Sequence, residues 1–590
     1  DPMLFRKLVK WDDAAKTPAL LFLVQIIEEM LFEFSLDTYK ASVMHTGLLC
    51  QEALTTISDV EAGNIKAPNI AHVSAELAAN LEKDPVALSL LPLPVAAFLP
   101  ALKNPKTPIR ELQTVLQLLS VQLPPDRFRM RNEELLMKAV TDSATYAELR
   151  RLARTYITTL TATGFSARHL QEQTQEFFHY GTGRITGPES LAEFFKLFPL
   201  EDNQYTVVFR VDKIFEHVVP AFSNLKISVT PELPKDLDAK QFPENFAPSA
   251  DTLFASVQEV EAGDPFSARD AAERLLNLTA TLLTLFHHRE HPSWLPQCVV
   301  YETKTKRYLS IAEPLNSMQK CADLLQPVAS RRLHEFASSF SLDRDSFSKF
   351  IRSAELHALA VRSNADENQI LNLWIALESL VPSESKSDDI SNIEHIIKCL
   401  LPFLNYGYIE RLVNNLVKDL LQWNSDFTRS LFKAIPGKKF TDRLVRLIVL
   451  PKFDVPRRRL EDSFKDFHLL RDRFDYFKQM LSSHTTVVSA LDAHSQRLEW
   501  QIRRIYRTRN IIVHSGITPR YTKPLIEHTH DYLDTVLSLL VRLASKPKTI
   551  HSVAQGFKYV ELRYRQYYNK LSQKSLTFDA TNIDQLVFCR

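Results

Sequence analysis

The sequence predicts a mainly α-helical protein with one small mixed α/β unit in its middle, and three observations carry that expectation. Glycine is scarce, 11 in 590 residues, well under the ordinary share of about 7%, so tight turns are few. Apolar residues recur at three–four spacing over most of the chain, the period of an amphipathic helix. Alternating segments rich in β-branched and aromatic residues are confined to roughly 190–315, where strands are expected. The 31 prolines act as the punctuation between helices.

Taken in order, residues 1–185 form a helical N-terminal region. "LFLVQIIEEMLFEFSLDTY", "SAELAANLEK", "IRELQTVLQLLSVQL" and "SARHLQEQTQEFFHY" all carry the helical stripe, and proline-rich joints ("PLPVAAFLP", "KNPKTP") separate them. "GTGRITGPES" at 181–190 breaks the pattern. An α/β unit follows at 190–315, with "NQYTVVFRVD" and "LKISVTPEL" as strands and "PQCVVYETKTKRYLSI" as a strand pair. Residues 330–548 are helical again, interrupted by the polar loop "PSESKSDD" at 382–389, and 549–590 form a basic, aromatic tail. No internal repeat is visible.

Bulk chemistry narrows the function. A formal net charge of +2 gives no whole-molecule field for nucleic acid or membrane, so any RNA surface is a local patch. The five cysteines (Cys50, Cys298, Cys321, Cys399, Cys589) have no C-x-x-C spacing, which excludes a legible zinc finger or disulfide framework and fits a reducing, cytoplasmic setting. The most apolar run, "PALLFLVQIIEEMLFEF", is interrupted by Glu28 and Glu29 and is too short to span a bilayer. No cleavable signal is expected ahead of it, and the opening "DPM" reads as leftover residues before a native Met3.

Several constellations are weak. "FHHREH" (His287, His288, His291) with Cys298 puts two histidines four apart. It lacks the H-E-x-x-H carboxylate and runs into Pro292, so a surface role outweighs a metal site. "GTGRITG" has a phosphate loop's glycines without its Lys-Ser/Thr, and reads as a turn. "VPRRRLEDSFKDF" reads as a solvated helix start ahead of a phosphate contact. The tail "FKYVELRYRQYYNK" suits base stacking and helix packing equally.

The informative stretch is "SALDAHSQRLEWQIRRIYRTRNIIVHSG". Leu491, Ser495, Leu498, Ile502, Ile505, Arg509 and Ile512 step by four and three along one stripe. Arg509 thus falls among apolar neighbours, an expensive place for an unpaired guanidinium. Asn510 and His514 share the adjoining face, and Gly516 supplies the stop with Pro519 beyond. His514 therefore sits in the last turn, at the negative end of the helix dipole, where an imidazole can act as general acid or base. Arg509 could brace a phosphate or a phosphorane. Five residues apart is about 140° round a helix, so the two converge only if the end unwinds or a partner contributes. Arg503, Arg504 and Arg507 have the ordinary solvated reading, and with Tyr506 they are the expected RNA contacts. In "ENQILNLWIALESLVP", Glu378 is the charged member of a second stripe with Leu371, Trp374 and Val381, and Arg509 is its expected partner.

Together these residues resemble the HEPN superfamily, most closely its Apea-like branch. "RNIIVH" gives the Arg–polar–His signature as Arg509, Asn510 and His514, followed by "SG", and "LNLWIALESL" matches the branch's aromatic-rich helix ending in Glu378. The likeness covers about 345–545. The gap between Glu378 and Arg509 departs from the pattern and implies inserted helices near 390–480. The resemblance implies a helical bundle that forms a homodimer, two Arg–His motifs meeting in one cleft. It also implies RNA cleavage without metal or cofactor, by 2′-OH attack on the adjacent phosphate, in a cytoplasmic abortive-infection or toxin-type antiviral effector. By that analogy the first 330 residues would sense a phage protein or restrain the nuclease. The competing reading is an inactive HEPN-like scaffold for dimerisation or nucleotide binding.

Overall fold

The computed structural model describes residues 6–33, 40–218, 225–233, 246, 252–320, 323–383, 386, 390–545, 548–573 and 575–589. Cys321, the leading "DPM" and most of the "PSESKSDD" loop lie outside the described residues. The mainly helical expectation holds: α-helices run from Pro18–Leu31 to Ile583–Val587, and the named strands among the described residues form one five-stranded sheet. None of the described helices is long and apolar enough to cross a membrane.

The sheet is antiparallel, in the order β2 (Ile227–Thr230), β3 (Thr252–Ala262), β1 (Asn203–Asp212), β4 (Trp294–Glu302), β5 (Tyr308–Ile311). β1 is the alternating run "NQYTVVFRVD", and the strand pair expected at 296–311 is β4 and β5. β3 carries no strand signal in the sequence. Its "TLFASVQEV" is buried on both faces near its start, so the polar alternation that marks a half-exposed strand is absent. Beneath the sheet, the helix Pro265–Thr284 closes a core of Phe209, Val257, Leu276 and their neighbours.

The helical remainder packs around two cores. One core joins the N-terminal helices, through Phe198, to helices between Tyr408 and Leu491 and to the C-terminal residues 567–589. A second core gathers residues 356–404, 498–512 and 525–560. The stretch expected as an insertion at 390–480 is therefore split. Helix Asn392–Asn405 belongs to the second core, and the helices from Tyr408 onward complete the N-terminal one. The tail is a docked helix, Val553–Leu571, with Val560, Tyr567 and Leu571 buried and the Tyr567 hydroxyl donating to the Val587 carbonyl.

The two cores are bridged by the helix that carries the Arg–His motif, His484–Ser515. At 32 residues it is about 48 Å long. Val487 and Leu491 enter the N-terminal core, while Leu498, Ile502, Ile505 and Ile512 enter the second, as the stripe predicts. Ser483 starts the helix with a capping box: its hydroxyl accepts from the Thr486 N–H at 3.2 Å, and Thr486 Oγ1 accepts from the Ser483 N–H at 3.1 Å. Gly516 ends it in the left-handed region (φ +67°), where its N–H reaches the Ile512 carbonyl.

Candidate functional site

The end of the motif helix holds three of the four expected catalytic residues. Asn510 is buried, Arg509 is half-buried and His514 is exposed on the last turn. Arg509 donates from Nη1 to Asn510 Oδ1 at 2.9 Å, and its Nε is buried without a partner. The helix stays regular to Ser515, so the end does not unwind and Arg509 and His514 keep their divergence of about 140° within one chain. Thr518, just beyond the cap, donates to Glu367 and ties the segment to the helix Asp366–Leu380.

Glu378 does not join them. Its carboxylate accepts from the Trp374 indole N–H at 3.1 Å, one turn back on its own helix, and it forms no ion pair with Arg509. An i,i+4 indole supplies locally the partner that the charged stripe position had to find, without a cation from another helix.

The solvated reading of Arg503, Arg504 and Arg507 is also overturned, and with it their availability to RNA in this conformation. All three are buried in ion pairs. Arg504 grips Glu52 from the helix Thr46–Glu61 (2.9 Å from Nη2) and Glu76 from the helix Pro68–Leu81 (2.7 Å), while Arg507 reaches the other Glu52 oxygen at 2.8 Å. Two cations face two anions, so the buried charges balance. Burial penalises the Glu52 carboxylate, yet the two guanidinium charges outweigh it and hold its pKa down from 4.5 to about 2. The same carboxylates hold Arg504 firmly charged against its own burial. Arg503 forms a bidentate pair with Glu394, 3.0 Å at each oxygen, and a 3.2 Å contact with Glu499. Tyr506 packs tilted against Trp374, ring centroids 5.6 Å apart. Nothing in the sequence pairs Glu52 or Glu76 with arginines more than 400 positions away; only the tertiary fold reveals it.

The helix expected to carry His287 and His291 on one face ends at Thr284. Cys298 is buried, and burial pushes its thiol up to about 12. Arg457 of the "PRRRLEDS" run caps the carbonyls of Leu447 and Ile448, while Arg458 and Arg459 are exposed.

The class this fold and site define is a mainly helical protein with an Arg–Asn–His helix end clamped to N-terminal helices by buried ion pairs. No known protein family, curated protein or solved structure matches the chain.

Proposed function

We propose that the chain is a metal-independent endoribonuclease of the HEPN type, acting in abortive-infection or toxin-type antiviral defence. One observation carries the reading: an exposed His514 stands one turn beyond an Arg509–Asn510 pair on a helix that runs unbroken to its glycine cap. In the proposed reaction a ribose 2′-OH loses its proton to an imidazole and its oxygen bonds to the adjacent phosphorus. The P–O5′ bond then breaks and the leaving oxygen takes a proton, giving a cyclic phosphate and a 5′-OH. Arg509 offsets the charge on the phosphorane, and Asn510 orients the guanidinium through Oδ1. Because the helix keeps Arg509 and His514 apart, the site needs two chains, each completing the other's motif in a homodimer. The RNA is a tRNA or mRNA.

The N-terminal region is the restraining part in this proposal. Its helices reach the motif helix through Glu52 and Glu76, and a phage protein bound by the first 330 residues would act through that contact. The scaffold reading, an inactive HEPN-like bundle for dimerisation or nucleotide binding, is favoured by a different observation. The arginines expected to meet RNA are neutralised inside the fold, and Glu378 does not brace Arg509.

Expression of wild type, Arg509→Ala and His514→Ala under a tight promoter separates the two. The nuclease reading expects wild type alone to degrade cellular RNA, with a phage trigger present. Intact RNA in all three strains would leave the scaffold.

A further inference from the structure

A second cluster, distant in sequence from the Arg–His motif, gathers chemistry that neither the fold nor the proposed nuclease uses. His357 stands on the helix Arg344–Arg362, and His530 and Asp534 stand one turn apart on the helix Thr522–Ala544. Their ligand atoms converge: His357 Nε2 to His530 Nε2 at 2.9 Å, His530 Nε2 to Asp534 Oδ2 at 3.4 Å, and His357 Nε2 to Asp534 Oδ1 at 3.7 Å. Among the described residues this is the one group of three or more such side chains close enough to share an ion.

We propose that His357, His530 and Asp534 bind a divalent transition-metal ion of the zinc type, with at least one coordination position left to water. Two arguments support the assignment. The first is geometric. Donors about 2.0–2.1 Å from a tetrahedral centre stand about 3.3 Å from one another; the two imidazole nitrogens are 2.9 Å apart, His530 lies 3.4 Å from Asp534 Oδ2 and His357 3.7 Å from Asp534 Oδ1, and one ligand atom from each side chain lies within 4.8 Å of the other two.

The second argument counts protons. A neutral imidazole Nε2 is either donor or acceptor, and an ionised carboxylate only accepts. If one histidine donates to the other, the accepting nitrogen turns its lone pair toward an Asp534 oxygen as well. If each donates to the carboxylate, two N–H groups confront each other at 2.9 Å. With the carboxylate ionised, each assignment of neutral imidazoles leaves one such mismatch, and a cation among the three, or a proton on Asp534, removes it. Two imidazoles and one carboxylate suit borderline ions such as Zn²⁺ over the hard Mg²⁺.

The accessibility fits an open site. The His530 side chain is 5% exposed, His357 27% and Asp534 44%, so the ion would be held from the buried side and approached by water from the Asp534 side. Such an ion would pin the helix Arg344–Arg362 to Thr522–Ala544, the helix that follows the motif.

The full-length protein, stripped with chelator and dialysed, is titrated with ZnCl₂ by calorimetry and with CoCl₂ by visible absorption. One Zn²⁺ per chain and the d–d bands of nitrogen- and oxygen-ligated Co²⁺ are expected, with no binding of MgCl₂. Asp534→Asn and His357→Gln, both at partly exposed positions, should each weaken Zn²⁺ uptake by more than about 100-fold, because removing even a partner outside the ligand set costs about 10–100-fold. His530→Gln tests the buried ligand, with circular dichroism reporting whether it folds. A stripped protein that takes up no Zn²⁺ overturns the assignment. So does uptake that survives unchanged in the Asp534 and His357 variants, which would place the ion elsewhere, for example at His287, His288 and His291.

Discussion

Replacing Glu52 by glutamine removes the anion that Arg504 and Arg507 share. The magnitude follows from linkage. A carboxyl held at about 2 in the fold against an ordinary 4.5 contributes about 3 kcal/mol at neutral pH, at 1.36 kcal/mol per unit. Breaking a buried pair by neutralising one partner costs about 3–5 kcal/mol on general grounds, so two independent routes agree. The folded-state pKa is depressed, so this stability is complete above the unfolded pKa and fades as pH falls from about 4.5 toward about 2; at pH 3 less than about half of it remains. Urea denaturation of wild type and Glu52→Gln, followed by near-ultraviolet circular dichroism near pH 7 and near pH 3, reads both numbers. Glu394→Gln is the control. Its side chain is 35% exposed, and a pair so open to solvent contributes at most about 1 kcal/mol. If Glu52→Gln lies within about 1 kcal/mol of wild type at neutral pH, or the gap is equal at both pH values, the buried-clamp argument is wrong.

Exposed His514 supports no packing, so His514→Ala should leave the thermal midpoint unchanged while lowering RNA cleavage by about 10²–10⁴-fold, the usual worth of a general acid–base group. Glu378→Gln keeps an acceptor for the Trp374 indole and touches no catalytic residue, so cleavage should stay within about twofold of wild type; a loss like that of Arg509→Ala would restore the Glu378–Arg509 pairing. Mixing Arg509→Ala with His514→Ala chains should recover part of the cleavage that each lacks, because one chain then supplies the arginine and the other the histidine; no recovery would argue against a two-chain site. Gly516→Val forces a β-branched residue into φ +67°, where nothing crowds the added Cβ, so the cost is backbone strain of about 1–2 kcal/mol, read as a lowered urea midpoint.

How much of this was legible beforehand depends on the range of the interaction. Periodicity is local, and so the motif helix was readable down to its buried stripe and its Gly516 stop. β1 was readable because one of its faces alternates; β3 was not, because its apolar run has no polar face to set the period. Burial of Arg504 and Arg507 was illegible for a physical reason. An "RRIYR" run looks solvated unless one knows that Glu52 and Glu76 approach it, and those contacts span more than 400 residues. Glu378 is the opposite case: Trp374, four residues back, satisfies it locally without a long-range partner. The His530–Asp534 half of the metal cluster is visible as a helical i,i+4 pair, but its third member, His357, lies 173 positions away.

The most direct test of the central claim is the chemistry of the cleaved ends. Purified wild type, incubated with a mixed tRNA pool in excess EDTA, should yield fragments carrying 2′,3′-cyclic phosphate and 5′-OH, and His514→Ala should yield none. Fragments with 5′-phosphate, or equal cleavage by His514→Ala, would contradict the account.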